Sequence, residues 1–231
     1  MRLSVTSVTK FIITLCLVSS LGSFTGCSGK AVDENDPGAL YGEAEEEIKS
    51  DHFQLAVDKL RAVKNKFPYS KFSVDAQLRL ADVYFMQESY AEAAAAYESF
   101  RDLHPKHEKA PYAMFRVGKS YFNDIPNPIS RDMTPAQKAL DGYQEFLHRY
   151  PQATDAAEAQ KDVAQIRKLL AEKELYIANF YFKREFFESA LPRFKKVIET
   201  YPETDAAKEA QGKVDKIGAQ PKNTGSSPDG K

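Results

Sequence analysis

The sequence predicts an all-α fold in which pairs of helices stack one upon the next. One observation is a repeat in which a proline closes each of four similar segments, with an alanine twelve residues before it and another eight residues after it. A second is that bulky and apolar residues recur within each segment at the spacing of one helical face. Small residues where helices meet, and prolines where helices end, are typical of a stacked helical array. The four prolines are Pro68, Pro105, Pro151 and Pro202.

The segment before each proline resembles the second helix of a tetratricopeptide repeat (TPR) in its order of aromatic residue, alanine, bulky residue, apolar residue and proline. The preceding helices agree, since Leu80, Ala81 and Tyr84 match the apolar, small and aromatic positions of that family's first helix. The resemblance implies a right-handed superhelix of stacked TPR-type helix pairs, an α-solenoid. The alternative is an ordinary helical bundle that has alanines at these positions by chance. The repeated alanines are Ala56, Ala93, Ala139 and Ala190 before the prolines, and Ala76, Ala113, Ala159 and Ala210 after them.

The first repeat matches the TPR pattern less well than the others. Ala44 fits, but Glu47 stands where an aromatic residue is expected. A terminal repeat has no upstream neighbour to bury this position, so a charged residue is tolerated there. The predicted TPR domain spans residues 38–217 and comprises repeats at about 38–70, 72–106, 109–152 and 170–203, followed by a terminal helix at 204–217.

Two irregular spacings predict a loop and a long helix. The interval between the second and third prolines exceeds the first interval, and the excess lies at 123–135, where three prolines exclude a continuous helix. This loop is either ordered or mobile. The last interval is longer still, and no helix breaker occurs between Thr154 and Arg184. One long connecting helix of about 28 residues, roughly Asp155–Phe182, is therefore expected to join the third and fourth repeats.

The N-terminus has the features of a bacterial lipoprotein. A cationic start precedes a short apolar run at Phe11–Leu21, which is too short to span a bilayer and is typical of a secretory signal. The segment Phe24-Thr25-Gly26-Cys27 resembles a lipobox, in which the cysteine is acylated, palmitate included, and becomes the new N-terminus. Residues 1–26 are thus interpreted as a signal peptide and residues 27–37 as a lipidated tether. The alternative is a soluble export signal cut near Gly22 or Gly26.

The composition of the chain argues against several classes of function. Cys16 leaves with the signal and Cys27 carries the lipid, so the mature chain has no thiol for a disulfide, a metal or a nucleophile. The signal removes two cations and no acids, which lowers the net charge from −1 to −3 and argues against nucleic-acid binding. Gly and Pro in residues 218–231 predict a disordered tail. Ser28, after the lipobox cysteine, favours by resemblance the outer membrane over the inner.

The sequence predicts neither an enzyme nor a metal or cofactor site. It contains no HExxH motif, no Gly-rich phosphate loop and no G-x-S-x-G motif. His104 and His148 lie on different repeats, and none of the four histidines has a metal-ligand spacing. His104 takes the position before a proline that aromatic residues take elsewhere. Packing or surface roles are expected for them. They are His52, His104, His107 and His148.

The TPR resemblance also implies a peptide groove, because the first helix of each pair lines the concave surface of such arrays. The groove is expected to be aromatic and aliphatic with a few charges, among them Glu45, Asp82 and Lys119. Exposed apolar surface of this kind commonly captures peptides. The alternative is that its side chains pack against the tether, the loop or a neighbouring helix. The predicted groove residues are Tyr41, Ile48, Leu78, Phe85, Met86, Tyr112, Phe115 and Phe122.

A more specific resemblance rests on motifs that occur in order from the lipobox to about residue 212. Together they are similar to the BamD family, the TPR lipoproteins of the outer-membrane β-barrel assembly machine. One departure is a C-terminal end shorter than is usual in that family. The motifs are Phe67-Pro68-Tyr69-Ser70, Leu80–Phe85, Leu103–His107, Gly118–Asn123, Arg131-Asp132-x-Thr134-Pro135 and Arg149-Tyr150-Pro151.

This resemblance implies a non-enzymatic scaffold, lipid-anchored on the periplasmic face of the outer membrane of a Gram-negative bacterium. The C-terminal half is expected to bind POTRA domains of the barrel subunit, and Lys208 matches a basic partner-contacting position of the family. The N-terminal half is expected to recognise the aromatic-ended C-terminal signals of unfolded outer-membrane proteins. Other assembly lipoproteins are further expected partners. The alternative is a TPR adaptor of the Tol-Pal system or of peptidoglycan-associated proteins, acting in envelope constriction.

Overall fold

The computed structural model describes residues 33–219, and this part of the chain is entirely helical apart from turns and one loop. The helices belong to one compact unit that begins at Glu34; a separate unit, Met1–Asp33, is described only at Asp33. The predicted signal, Cys27 and nearly all of the predicted tail lie outside the described residues. The helices are α1 Pro37–Lys49, α2 Phe53–Lys66, α3 Lys71–Met86, α4 Tyr90–Leu103, α5 Ala110–Asn123, α6 Thr134–Arg149, α7 Ala156–Lys183, α8 Phe187–Thr200 and α9 Asp205–Gly218.

Each helix packs against the next one in the chain, from α1 to α9. Contacts also join α1 to α3, α5 to α7 and α7 to α9, so helices in equivalent positions of neighbouring pairs touch. Contacts confined to near neighbours distinguish a stacked array from a closed bundle. The prediction of stacked helix pairs is confirmed.

The repeated sequence positions form the contacts between the helices. All eight of the repeated alanines are completely buried. The bulky residues four positions after the first set, which are Leu60, Tyr97, Tyr143 and Phe194, are also completely buried. The second helices end two residues before each proline, and the residue between is the C-cap, because proline disfavours a helical conformation in the residue that precedes it.

The long connecting helix is confirmed as α7, which has 28 residues. It packs against α6 and against α8, so one helix serves two neighbouring pairs. Ile166 is buried in its N-terminal half, and Leu175 and Ala178 are buried in its C-terminal half. The inserted residues therefore extend the stack without moving the buried face.

The loop between α5 and α6 packs against α7. The Lys173 Nζ atom donates hydrogen bonds of 2.9 Å to the carbonyl oxygens of Ser130 and Arg131. Met133 is buried, and Ile125 and Ile129 pack against the core. Of the two alternatives that the sequence left open, these contacts favour an ordered loop.

Between residues 33 and 219, none of the helices combines the length and the apolar character needed to cross a bilayer.

Candidate binding surface on the first helices

Three of the eight predicted groove residues lie in the interior instead of on a binding surface. Ile48, Leu78 and Phe115 are buried, with exposed fractions of 7%, 5% and 5%. The Phe115 ring lies 5.8 Å from the ring of Tyr143 and 5.7 Å from that of Phe146, between centroids, so it is packed between α5 and α6. These three residues contribute to the core, which corrects the prediction for them.

The other five predicted residues reach the surface to different degrees. Tyr41, Phe85, Tyr112 and Phe122 are half-buried, and Met86 is 43% exposed. Phe122 lines a cleft of about 490 Å³ between the α5–α6 loop and α7, so it packs partly against the loop, as the alternative interpretation had it. Phe85, Met86 and Tyr112 remain as accessible aromatic and apolar surface on the first helices.

A chain of polar contacts runs along the first helices beside this apolar surface. We call it the polar ladder, and it consists of Glu45, Arg79, Asp82, Tyr112, Lys119 and Asp162. Its first step joins α3 to α1, where Arg79 donates from Nε and Nη2 to the two carboxylate oxygens of Glu45 at 2.8 and 2.9 Å. This is the bidentate geometry in which arginine holds a carboxylate most firmly. Burial, followed by the charge of Glu45, raises the pKa of the neighbouring Tyr41 to about 12.

The second step of the polar ladder joins α3 to α4 and α5 through Asp82. One oxygen of its carboxylate accepts hydrogen bonds from the hydroxyl groups of Tyr97 at 2.6 Å and Tyr112 at 2.8 Å. The other lies 3.6 Å from Nη1 of Arg79. Burial and the charge of Asp82 raise the pKa of Tyr112 to about 12 and also raise that of Tyr97. Both tyrosines therefore remain protonated donors at neutral pH.

The third step of the polar ladder joins α5 to α7. The Lys119 Nζ atom lies 2.8 Å from an oxygen of Asp162 and 2.7 Å from one of Glu158. The same Asp162 oxygen accepts a 2.7 Å hydrogen bond from the buried hydroxyl of Tyr143. Asp162 is 5% exposed, so a buried carboxylate holds these two helices together with α6.

Arg116 lies beside the second step, on α5. Its guanidinium carbon is 3.6 Å from the centroid of the Phe85 ring, 5.6 Å from that of Tyr97 and 5.7 Å from that of Tyr112. Its Nε atom donates to the Tyr97 hydroxyl at 3.1 Å. A guanidinium group on aromatic faces is held by the negative potential of the rings and by their contact area.

A second surface lies at the C-terminal half, on α7 and the turn that follows it. Tyr176 and Phe180 are 54% and 45% exposed, which is unusual for adjacent aromatic side chains on one helical face. The Arg184 guanidinium carbon lies 3.7 Å from the centroid of the Phe180 ring. The Asn179 amide donates to Glu209 at 3.1 Å, which places this aromatic patch beside α9. Lys208, also on α9, is exposed and pairs with Asp205 at 2.8 Å.

The helical array as a whole matches one known protein family. The family model described as outer membrane lipoprotein, YfiO, matches residues 33–215, which include α1 to α8 and most of α9. The chain belongs to this family. The match confirms the expectation that the protein belongs to an outer membrane lipoprotein family.

Similar curated proteins carry one shared name. This YfiO family member is 30% identical over 208 residues to the outer membrane protein assembly factor BamD of Vibrio cholerae serotype O1, covering 85% of this chain and 86% of that protein. It is 30% identical over 204 residues to BamD of Caulobacter vibrioides, covering 86% and 67%. BamD of Neisseria gonorrhoeae is 29% identical over 180 residues, covering 74% and 67%. Family membership also confirms that the chain is not an enzyme.

Among solved structures, a crystal structure of a Podosopora anserina putative kinesin light chain with nearly identical TPR-like repeats is 14% identical, with a TM-score of 0.45. The alignment covers 80% of this chain and 97% of that one.

Sequence reasoning missed three charged residues of this family member's first-helix surface, namely Arg79, Arg116 and Asp162. A signal for the two arginines does exist. Arg79 and Arg116 are 37 residues apart, so they occupy the same repeat position. Arg79 follows Glu45 by 34 residues and Arg116 follows Asp82 by 34 residues. An acid followed at this spacing by a cation predicts contact between successive first helices, whereas the irregular spacing before α7 hides Asp162.

In the described part of this family member, no group of three or more His, Cys, Asp or Glu side chains is placed to hold a metal ion. The first helices present aromatic side chains, arginines and hydrogen-bonded carboxylates.

Proposed function

We propose that this protein is a non-enzymatic scaffold for the assembly of outer-membrane β-barrel proteins, anchored on the periplasmic face by a lipid on Cys27. The observation that carries the proposal is the match to BamD proteins over most of the chain, because those relatives are named as outer membrane protein assembly factors. The surfaces on α3, α5 and α7 provide two separate places to bind polypeptides. One serves client polypeptides and the other serves the assembly machine.

The N-terminal half binds the aromatic-ended C-terminal signals of unfolded outer-membrane proteins. Phe85 packs against Tyr90 with 5.3 Å between ring centroids, and Met86 and Tyr112 continue the apolar surface. Aromatic side chains of a client gain affinity by burial there without exact hydrogen-bond matching, which suits a set of related signals. The polar ladder holds α1, α3 and α5 together, so this surface is formed before a client arrives.

Met86→Glu is expected to weaken binding of a peptide that ends in an aromatic residue by about tenfold, since a charge replaces an apolar contact worth about 1.4 kcal/mol. Met86 is 43% exposed, so the substitution leaves the helices intact. The measurement is fluorescence anisotropy of a labelled peptide, with circular dichroism to check the fold. Phe115→Glu would not serve, because Phe115 is buried and its loss would disturb the core.

The matched control is Leu103→Glu. Leu103 is 64% exposed and ends α4, so the same charge enters on the second helix of the same repeat. Its peptide affinity is expected to equal that of the unchanged protein. Equal weakening by both substitutions, or by neither, would contradict a client surface on the first helices.

The C-terminal half binds POTRA domains of the barrel subunit. The exposed Tyr176 and Phe180 provide apolar area, and Lys183 and Arg184 border the same cleft. An exposed aromatic pair beside cations has the composition of an interface centre, where aromatic residues and arginine are enriched. Lys208 lies on the helix next to this patch and remains the proposed basic contact.

Phe180→Glu combined with Lys208→Glu is expected to reduce recovery of the POTRA-containing subunit in a pull-down by at least about tenfold, because an aromatic anchor and a cation are both lost. The readout is quantitative mass spectrometry of proteins that co-purify with the tagged chain. Leu55→Glu is the control, since Leu55 is 51% exposed on α2 in the N-terminal half. Unchanged recovery would place the partner elsewhere. Recovery of peptidoglycan-associated proteins in place of a POTRA subunit would instead favour the Tol-Pal alternative.

A further inference from the structure

Two arginines in the same repeat position have different hydrogen-bond partners. Arg79 uses Nε and Nη2 on Glu45, and its Nη1 approaches Asp82. Arg116, one repeat later, donates from Nε to the hydroxyl of Tyr97. Within residues 33–219, the Nη1 and Nη2 atoms of Arg116 have no hydrogen-bond or ion-pair acceptor.

The difference arises because the acid that would pair with Arg116 is already engaged. By the repeat spacing, Asp82 corresponds to the Glu45 that Arg79 holds. Asp82, however, accepts hydrogen bonds from the hydroxyls of Tyr97 and Tyr112 and lies near Arg79. The carboxylate is thus satisfied from three directions, and the guanidinium of Arg116 is left without its own acid.

Arg116 is nevertheless held in one place. The Phe85 ring covers it at 3.6 Å, and its Nε is fixed on Tyr97. Every buried side-chain nitrogen or oxygen of the described residues has a hydrogen-bond partner, so Nη1 and Nη2 must be reached by solvent. The result is a positioned cation with two donors that solvent reaches. Such a group loses little freedom when an anion arrives, which favours binding.

We propose that Arg116 receives the terminal carboxylate of a client polypeptide through Nη1 and Nη2. This inference rests on the proposed client-binding function and specifies which group of the client is recognised. Two parallel N–H···O bonds match the planar fork of arginine to a carboxylate, whereas a side-chain amide or a lysine would make a weaker contact. The last side chain of the client then lies on Phe85, which covers Arg116 and packs against Tyr90, and on the adjacent Met86 of α3.

The chain end is distinguished from an internal segment because only the last residue carries a carboxylate and an aromatic ring on the same Cα atom. Arg79 and Arg116 together balance the negative charges of Glu45 and Asp82, so these four groups carry no net charge before an anion arrives. Lys119, one turn further along α5, is already engaged by Asp162 and Glu158, which leaves Arg116 as the cation available to the client.

The test compares two labelled ten-residue peptides of alternating apolar and polar residues that end in Phe, one as the free acid and one as the C-terminal amide. The probe is fluorescence anisotropy with the full protein purified from membranes in detergent. The acid is expected to bind at least about tenfold more tightly than the amide, as expected for a charge-assisted hydrogen-bonded pair. Arg116→Gln should bind both peptides with the affinity that the unchanged protein has for the amide.

Matched variants separate this role from a structural one. Arg61 also donates to a tyrosine hydroxyl, that of Tyr84 at 2.7 Å, so Arg61→Gln removes the same charge from a similar contact and should keep the preference for the acid. Arg116→Lys keeps the charge and should restore part of the preference, even if Arg116→Gln proves unstable. Binding of both peptides equally by the unchanged protein would overturn the carboxylate assignment and leave client binding intact. Binding of neither peptide would overturn both.

Discussion

Replacing Asp162 with alanine is expected to destabilise the protein by about 3 kcal/mol, since it removes the shared acceptor of a buried network. The hydroxyl of Tyr143 loses its partner at a position where the side chain is completely buried. Lys119 keeps Glu158 but loses its contact with the buried carboxylate. A buried donor left without an acceptor costs more than the hydrogen bond itself contributes, because water cannot replace the acceptor.

The measurement is denaturant unfolding followed by circular dichroism. Asp141→Ala is the control, because Asp141 is exposed on α6 and accepts a hydrogen bond from Gln137 within the same helix. It should change the free energy of unfolding by less than about 0.5 kcal/mol. Tyr143→Phe removes the hydroxyl and leaves Lys119 with its acids, so its effect should be smaller than that of Asp162→Ala. Equal stabilities of Asp162→Ala and Asp141→Ala would show that the network does not stabilise the fold.

Gly118→Ala is expected to destabilise the protein by about 2 kcal/mol, although alanine is normally the better helix former by about 1 kcal/mol. A Cβ atom at position 118 would lie 2.6 Å from Cδ1 of Tyr143 and 2.8 Å from Cε1. The ring cannot move away freely, since it is completely buried and its hydroxyl is bound to Asp162. The steric cost therefore exceeds the gain in helix propensity.

Gly42→Ala provides the matched control for this second substitution. Gly42 lies inside α1, and a Cβ atom there would meet nothing within 4 Å. This variant should be more stable by up to about 1 kcal/mol. Thermal and denaturant unfolding of the two variants should therefore shift in opposite directions. If Gly118→Ala also proved stabilising, α5 and α6 would have to separate easily at this point.

The repeat made much of the fold predictable from the sequence. Each alanine column marks a helix contact, and each proline marks a helix end, so the helix pairs follow without knowledge of distant contacts. The long helix could be predicted because no breaker interrupts residues 154–184. In these cases the information is local in the chain or recurs at a fixed interval.

The surface was less predictable, because the resemblance identified the helices that line it and not the rotation of each side chain. Tyr41, Leu78 and Phe115 share one repeat position, yet Tyr41 is half-buried and the other two are buried. Tyr41 belongs to the first pair, which no preceding pair among the described residues covers. Burial at a repeat position therefore depends on what the neighbouring repeat places over it.

The contacts of the polar ladder were also difficult to predict from the sequence. Its partners are distant in sequence: Glu45 meets Arg79 of the next repeat, and Lys119 meets Asp162 of α7. The hydroxyl groups of Tyr97 and Tyr112 decide that Asp82 does not hold Arg116. That outcome depends on three helices meeting at one carboxylate, which no single helix pattern encodes.

Helix α7 contacts α5 and also determines a distance along the molecule. At 1.5 Å per residue, its 28 residues span about 42 Å without a joint. Lys119 and Asp162 attach its N-terminal half to α5, whereas Tyr176 and Phe180 stand on its C-terminal half. One continuous helix thus sets the distance between its contact with α5 and the exposed aromatic pair, so that two polypeptides bound at these places would be held a fixed length apart.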